Sequence, residues 1–458
     1  MDHSELESRW DPNFYRCMRE FHRRMESCPY PIQRLRKSLD LVQYGSSDRA
    51  SEVPEGLPML RMLNLQDDTW DISDLKYIEM SEDDEKRYLL RHGDILFNRT
   101  NSKELVGKCG VFELDGEYVF ASYLIRVRLK PSTFVPHYVT AFLSSGIGRL
   151  QIEGVSRQIA GMTNVNAEEI RDLLIPNPGR TIQEEIVRRW QDAVRQRDQT
   201  LEEAKRVLAG IDDVLLGELG VPLTSKSPNT LERRMFLRAF SMVSGKRIDP
   251  NANWKSLSFA GGKYQLRRFR DVVDINPPTS FAHVERHADV SFVPMDAVSE
   301  VFGDVENTLT RPVEGRSAYT KFQDGDIIWA KITPCMQNGK AALLSQLTKG
   351  VGYGSTEFHV FRVKDADLRH DYLHHLLRLQ SVRDHARLFF TGSAGQQRVD
   401  AGFFHELDIP LPPASVQGKI AKAASEAQRQ ARQLVKQARI ELDRSKRGIE
   451  ALILGQGD

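Results

Sequence analysis

The sequence is poor in cysteine and lacks long apolar runs. Its 458 residues include four cysteines, none of them in a CxxC pair, and this argues against a disulfide framework or a zinc ribbon. No apolar run approaches the roughly 18 residues needed to cross a bilayer. The amino terminus, MDHSELESRWDP, lacks the basic-then-apolar pattern of an export signal. These absences predict a cytoplasmic protein.

An excess of charge of one sign is also missing. The chain has 64 lysine and arginine residues against 63 aspartate and glutamate residues. A protein that holds nucleic acid by bulk charge is usually more basic. Basic clusters do occur, for example FHRRM at Phe21 and QLRRFR at Gln265. Any nucleic-acid site must therefore be a local patch on a near-neutral protein.

What the sequence does contain is an internal duplication. GDILFNRTNS begins at Gly93, and GDIIWAKITP begins at Gly325. The flanking segments repeat in the same order: GKCGVFEL with GKAALLSQ, YVFASYLIRVRLK with GYGSTEFHVFRVK, and AGMTNVNAEEIRDLLIPNP with AGQQRVDAGFFHELDIPLP. The register drifts by only a few residues, which indicates two copies of one unit of roughly 230 residues.

A long helical pattern follows each strand-rich half. Apolar residues recur there at alternating three- and four-residue steps, the pattern of a coiled-coil seam. Thr181 and Glu184 predict a capping box at the start of the first helix. Each pattern covers about 35 residues, so two antiparallel helices would form a rod about 50 Å long. The predicted seam residues are Ile182, Ile186, Trp190, Leu201, Leu208, Leu215, Ile420, Ala427, Leu434 and Leu442.

The predicted fold class is α+β, with two strand-rich domains separated by two long antiparallel coiled-coil helices and a pseudo-twofold internal duplication. Paired domains at a fixed separation suit duplex DNA, where about 50 Å corresponds to roughly 15 base pairs. The predicted segments are an N-terminal extension (1–30), a first strand-rich domain (31–180), a central helix (181–220), a linker (221–264), a second strand-rich domain (265–414) and a distal helix (415–455).

The duplicated motifs, in this order, resemble the specificity subunits of type I restriction-modification systems. The resemblance rests on GDILFNRTNS, GDIIWAKITP, GYGSTEFHV, GSAGQQRVDAGFFHELDIPLPP and the helices that begin TIQEEIV and SVQGKIA, and it covers essentially the whole chain. It implies that the strand-rich domains are target-recognition domains, each reading one part of a bipartite asymmetric DNA site, and that this subunit is non-catalytic.

The same resemblance implies partners and cofactors. The long helices would set the spacing and dock two DNA-adenine methyltransferase (modification) subunits, and motor-nuclease (restriction) subunits could join them. No cofactor is expected in this chain, whereas S-adenosylmethionine, ATP and Mg²⁺ are expected in the partner subunits. An alternative stays open, in which the same architecture is a DNA-free assembly scaffold or the recognition subunit of a related defence complex.

Motifs that could indicate catalysis are weak. INPPTSF at Ile275 is similar to the Asn-Pro-Pro-aromatic motif of amino-methyltransferases, but Thr279 stands at the aromatic position, so we interpret it as a turn. His283 and His287 could share a helix face, but no third zinc ligand is evident. None of the Gly-Lys pairs has P-loop spacing. We therefore expect neither a catalytic residue nor a metal site.

Residue types that read bases are concentrated after each Gly-Asp strand and in a later loop of each half. Arginine and lysine suit guanine, asparagine and glutamine suit adenine, and hydroxyl groups suit phosphate. Loops on a rigid scaffold are the usual place for such contacts. The predicted DNA-binding residues are Arg99, Thr100, Asn101, Ser102, Lys103, Arg157, Gln158, Thr163, Asn164, Lys331, Thr333, Gln337, Asn338, Ser393, Gln396, Gln397 and Arg398.

Overall fold

The computed structural model describes most of the chain as two compact units. One unit is formed by residues 1–202 with 434–458, and the other by residues 203–433. The described residues are 11–66, 68–102, 105–159, 162–221, 259, 261–285, 287–313, 318–392 and 397–456. Most of the predicted linker therefore lies outside the described residues.

The first unit combines short strands with five helices that precede the first long helix in the described part of the chain. The helices are α1 (Pro12–Met25), α2 (Glu82–Tyr88), α3 (Pro136–Ser144), α4 (Gly146–Val155) and α5 (Ala167–Arg171). The strands are β1 (Ile32–Arg34), β2 (Leu39–Tyr44), β3 (Leu57–Leu60), β4 (Leu65–Gln66), β5 (Thr69–Trp70), β6 (Lys76–Ile78), β7 (Ile95–Asn98), β8 (Thr100–Asn101), β9 (Cys109–Val111), β10 (Val119–Phe120), β11 (Leu124–Leu129), β12 (Arg157–Ile159), β13 (Met162–Asn164) and β14 (Leu174–Pro176).

Four small sheets organise these strands. The largest is antiparallel, in the order β2-β11-β7-β9. A second sheet, β10-β3-β6, contains one parallel pair, between β10 and β3. The third sheet joins β12, β13 and β8, and β1 pairs with β14 in the fourth. β4 and β5 form a separate hairpin.

Helix α1 belongs to the first unit's core, although the sequence marked it as part of an extension. Asp11 caps this helix by accepting hydrogen bonds from the backbone of Asn13 and Phe14. Phe21 is fully buried in the unit's hydrophobic core. Gly154 of α4 allows the close approach, since an added Cβ would lie 3.0 Å from the Cβ of Cys17.

The second unit repeats the plan of the first. Its strands are β15 (Leu266–Arg268), β16 (Val273–Ile275), β17 (Asp289–Val293), β18 (Leu309–Pro312), β19 (Thr320–Gln323), β20 (Ile327–Ala330), β21 (Ala341–Leu343), β22 (Val351–Gly354), β23 (Phe358–Val363), β24 (Phe390–Thr391), β25 (Arg398–Val399) and β26 (Asp408–Pro410). Its short helices are α7 (Phe269–Val272), α8 (His370–Arg378), α9 (Gln380–Ala386) and α10 (Gly402–Glu406).

Strand order shows the duplication directly. The antiparallel sheet β16-β23-β20-β21 corresponds to β2-β11-β7-β9, and the pair β15-β26 corresponds to β1-β14. β22 lies parallel to β17, as β10 lies parallel to β3. The predicted α+β fold with internal duplication is therefore confirmed.

The repeated Gly-Asp motifs are part of this shared scaffold. Gly93 and Gly325 have φ values of 88° and 85°, the left-handed region that glycine adopts without strain. The buried carboxylate of Asp94 accepts two hydrogen bonds from Arg128, at 2.6 and 2.7 Å. Asp326 accepts the same pair from Arg362, both at 2.8 Å. In each unit, this bidentate pair ties two neighbouring strands of the main sheet together.

Two long helices follow the strand-rich parts, α6 (Arg180–Leu219) and α11 (Ala414–Ile453), each of 40 residues. The boundary between the units falls inside both helices. In the first unit, Trp190 near the start of α6 shares a hydrophobic core with Ile449 near the end of α11. In the second unit, Leu215 near the end of α6 shares a core with Ile420 near the start of α11. The antiparallel order predicted for the helices is thus present.

The residues predicted for the seam are buried or half-buried. The predicted capping box is wrong, because the helix begins before Thr181. The carbonyl oxygen of Gly179 accepts hydrogen bonds from the backbone of Ile182 and Gln183. Within the described part of the chain, no helix combines the length and the apolar character that a membrane span requires.

Candidate nucleic-acid interface

Three segments of the first unit meet where β7 ends. The backbone N–H of Arg99 donates to the carbonyl oxygen of Tyr123 at 3.0 Å, and the N–H of Val165 donates to the carbonyl oxygen of Arg99 at 2.9 Å. β8 and β13 pair alongside, with Asn164 opposite Thr100. We call Arg99, Tyr123 and Asn164 the first junction. It brings together the two stretches that the sequence singled out in this half.

The second unit builds the same crossing. The N–H of Lys331 donates to the carbonyl oxygen of Glu357 at 2.9 Å, and the N–H of Val399 donates to the carbonyl oxygen of Lys331 at 2.9 Å. Arg398 forms a β-bridge with Ile332. We call Lys331, Glu357 and Arg398 the second junction. Its members occupy the positions that Arg99, Tyr123 and Asn164 occupy in the first junction.

Side chains of the first junction are held mostly by neutral and aromatic partners. Arg99 donates to the carbonyl oxygen of Ser122 at 3.4 Å and lies 5.0 Å from the ring centroid of Tyr44. The hydroxyl of Thr100 donates to Asn164 at 2.5 Å. Tyr123 is 47% exposed. Here Arg99 thus lies beside the ring of Tyr44, and the ring of Tyr123 is separately open to solvent.

Charged groups dominate the second junction. Arg398 donates two hydrogen bonds to the Glu357 carboxylate, both at 2.8 Å. These bonds, reinforced by the charges of Arg398 and Lys331, lower the pKa of Glu357. The two side chains of the pair are 40% and 23% exposed. A lysine, an arginine and a carboxylate thus meet at a partly open surface.

Several other predicted residues make contacts within the protein. Asn101 donates to the sulfur of Met62, and Arg157 pairs with Glu169 at 3.1 Å. Thr163 is 4% exposed, and Ser102 is exposed.

In the second unit, the backbone N–H of Thr333 donates to Gln397, and Asn338 donates to Glu300. The carbonyl oxygen of Gln337 accepts from Arg383. For Gln158 only the backbone pairing is described. Lys103, Ser393 and Gln396 lie outside the described residues.

The chain is similar to a known protein family and to named proteins. Residues 262–444 match the family model described as Type I restriction modification DNA specificity domain. The chain is 37% identical to the type I restriction enzyme EcoEI specificity subunit of Escherichia coli over 186 residues. It is 21% identical over 413 residues to the putative type I restriction enzyme MjaX specificity subunit of Methanocaldococcus jannaschii, a match that covers 86% of this chain and 85% of that protein.

Residues 262–444 thus match the DNA specificity domain of type I restriction-modification systems, and the chain is similar to named specificity subunits of that kind. The family resemblance inferred from the duplicated motifs is therefore confirmed. The EcoEI match covers 40% of this chain, and it spans 31% of the EcoEI subunit's own length.

Solved structures give a further comparison. One, titled as the structural basis underlying complex assembly and conformational transition of the type I R-M system, has a TM-score of 0.48 and 13% identity. It covers 93% of this chain and 97% of that chain. The crystal structure of the HsdS subunit from Thermoanaerobacter tengcongensis has a TM-score of 0.33 and 16% identity, and covers 93% of this chain and 97% of that one.

In this protein, the Asn-Pro-Pro-Thr segment is a structural turn. The side chain of Asn276 accepts a hydrogen bond from the backbone of Val360 at 2.9 Å and contacts the His359 ring at 3.1 Å. Thr279 accepts from Arg362 at 2.9 Å. The segment thus fastens β16 to β23 and to the Asp326–Arg362 pair, as the interpretation as a turn requires.

The histidine pairs also have structural surroundings. His283 and His287 are exposed and lie outside the helices, so the shared helix face considered from their spacing is absent. His374 and His375 lie on α8 and are buried. Burial lowers the pKa of both, that of His375 to about 4. At neutral pH these buried rings are uncharged.

Sequence reasoning missed Tyr123 and Glu357. The search was for arginine, lysine, asparagine, glutamine, serine and threonine, and neither tyrosine nor glutamate is among these residue types. A signal was nevertheless available, because ASYLI and STEFH are matching segments of the two copies, and Tyr123 and Glu357 hold the same place in them. Equivalent positions with unlike chemistry are where two copies can differ in what they bind.

Proposed function

We propose that this chain is the non-catalytic DNA-recognition subunit of a type I restriction-modification complex and that each unit reads one part of a bipartite, asymmetric DNA site. The observation that carries the proposal is the junction, which is built twice with the same backbone hydrogen bonds and with different side chains. A shared scaffold explains how both units would meet the same kind of ligand, and the differing side chains explain how the two half-sites would differ.

The long helices would set the spacing between the half-sites. Each has 40 residues and a rise of about 1.5 Å per residue. Their buried stripe is used within this chain, so partner subunits would meet the opposite faces. We propose that these faces dock two DNA-adenine methyltransferase subunits, and that restriction subunits join the same complex.

The partner subunits would then catalyse both reactions, methyl transfer and DNA cleavage. Methyl transfer would draw on S-adenosylmethionine bound by the modification subunits, and cleavage would draw on ATP and Mg²⁺ bound by the restriction subunits. The role proposed for this chain is to place those subunits on one DNA sequence. The chain's own side chains would supply base and phosphate contacts.

Single-molecule methylome sequencing tests the proposal in the cell. The comparison is between cells with and without this gene, both expressing a type I modification subunit supplied with it. We expect deletion to abolish methylation at one bipartite motif with a fixed gap and to leave every other methylated motif in place. An unchanged methylome in cells that express both proteins would favour a DNA-free scaffold instead.

A further inference from the structure

The two junctions differ most where Glu357 replaces Tyr123. Both residues lie within a turn closed by an equivalent backbone hydrogen bond. The N–H of Leu124 donates to the carbonyl oxygen of Ala121 at 2.9 Å in the first unit, and the N–H of Phe358 donates to that of Ser355 at 3.3 Å in the second. Both offer a carbonyl oxygen to the basic residue that follows the Gly-Asp strand. The backbone is therefore fixed alike, and the difference lies in the side chain.

At this position, the second unit places a carboxylate where a DNA-binding surface would ordinarily avoid one. Glu357 lies between Lys331 and Arg398, and it is partly open to solvent. The carboxylate offsets one of the two cationic groups at this junction, so it weakens the attraction of the surface for a phosphate. A carboxylate is suited, in contrast, to a base edge, because it accepts a hydrogen bond from the amino group of cytosine or holds an arginine that donates to guanine.

The geometry of the pair favours the second of these roles. Both oxygens of Glu357 are engaged by the arginine fork at 2.8 Å. A bidentate pair fixes the plane of the guanidinium and removes much of its rotational freedom. An arginine held in this way meets a guanine edge in one orientation, whereas a loose arginine binds phosphate and base alike.

We propose that Glu357 is a positioning residue for specificity, which orients Arg398 towards one base pair of the half-site read by the second unit. This inference rests on the proposed function. In the first unit, the equivalent residue is Tyr123, so the first half-site is read without an oriented arginine at this place. The two half-sites should therefore differ at the base pair that faces position 357.

Selection of bound duplexes from a randomised library tests the inference with the full-length chain. The variants are Glu357→Gln, which removes the charge, and Glu357→Asp, which keeps it. Glu406→Gln is the matched control, since Glu406 is a carboxylate of the same unit that pairs with Arg268 away from the junction, at 3.6 Å. Thermal melting of each variant shows whether its fold is intact.

We expect Glu357→Gln to lose about tenfold in discrimination at one base pair of one half-site. The other half-site and the gap should stay as in the wild type. Glu357→Asp should retain the preferred base, and Glu406→Gln should select the wild-type motif.

Two outcomes would overturn the inference while leaving the proposed function in place. One is an unchanged motif for Glu357→Gln. The other is a uniform loss of affinity for all sequences at a wild-type melting temperature, which would make the pair a general support of the surface. Failure of the wild-type chain to select any bipartite motif would count against the proposed function itself and would remove the inference with it.

Discussion

The two units attach their strand-rich parts to the long helices by different contacts. In the first unit, the indole N–H of Trp190 on α6 donates to the buried carboxylate of Asp68 at 2.7 Å. In the second unit, Gln428 on α11 donates to the carbonyl oxygen of Phe302 at 2.7 Å, and Arg432 pairs with Asp304. The first attachment is buried, whereas the Arg432–Asp304 pair is more than 40% exposed on both sides.

This contrast shows which parts of a duplicated chain are retained. The buried Asp–Arg pair of the main sheet is the same in both units, because its loss would leave a charge buried without a partner. The attachments and the junctions differ between the units. The second attachment and both junctions are partly open to solvent, where side chains of other kinds can be hydrated. Variants at matched positions of the two units should therefore differ in their effects.

The largest effect is expected at the shared Asp–Arg pair. Asp94 faces the half-buried Arg128 and also Arg126, which is 3% exposed and lies 3.8 Å away. Asp326 faces Arg362, which is 23% exposed and can regain water. Asp94→Ala should lower the free energy of unfolding by about 3–5 kcal/mol. Asp326→Ala should cost about 1–3 kcal/mol.

Urea unfolding of the full-length variants, followed by hydrogen exchange in peptides of each unit, measures both losses. Equal losses would contradict the role given to Arg126 in the first unit.

Acid should weaken the second unit more than the first. Burial lowers the pKa of His375 to about 4 from an ordinary 6.5. Between these values the unfolded chain binds a proton that the folded unit does not, so the free energy of unfolding falls as the pH drops from 6.5 towards 4. His375→Gln should remove part of this loss. Hydrogen exchange between pH 4.5 and pH 7 measures the stability of the second unit. If the His375→Gln variant lost as much stability in acid as the wild type, His375 would not be the cause of that loss.

His137 in the first unit should show the opposite sign. Burial acts to lower the pKa of His137, but the carboxylates of Asp68 and Glu113 outweigh it and raise the pKa. The stability that this histidine contributes is fully present below its ordinary pKa of 6.5 and is lost as the pH rises through the raised value. His137→Gln should flatten that dependence in peptides of the first unit. A steeper dependence would show that the carboxylates do not stabilise the charged ring.

The smallest effect is expected at the exposed attachment. Trp190→Phe keeps most of the buried ring but removes the indole donor to the Asp68 carboxylate, which keeps its contacts with Thr140 and His137. The variant should therefore cost about 1–2 kcal/mol. Arg432→Ala removes an exposed ion pair and a contact of 4.1 Å with the Phe302 ring, and should cost about 0–1 kcal/mol. Thermal melting compares the two variants. A larger loss for Arg432→Ala would reverse the contrast between the attachments.

The fold was predictable because the duplication is visible in short sequence motifs. Two matching series of glycine, proline and apolar positions identified the units, and the periodic stripes placed both 40-residue helices to within two residues at each end. Contacts between distant segments were not predictable. The partner of Asp94 is 34 residues away, and nothing near the Gly-Asp motif identifies Arg128.

The candidate site was predictable only in part. The stretches around Arg99 and Lys331 do meet the later loops of their units, as expected of loops on one scaffold. Thr100 and Thr163 have the hydroxyl groups of phosphate ligands, but each is 4% exposed. Sequence shows the type of a side chain, whereas its exposure depends on how the strands pair.

We propose that the two units read separate parts of one DNA site. The most direct test compares Arg99→Ala with Lys331→Ala, at equivalent positions of the two junctions, by selection of bound duplexes from a randomised library. We predict that Arg99→Ala changes one block of the bipartite motif and Lys331→Ala changes only the other. Changes by both variants in the same block, or an equal weakening of both blocks by each variant, would contradict the claim.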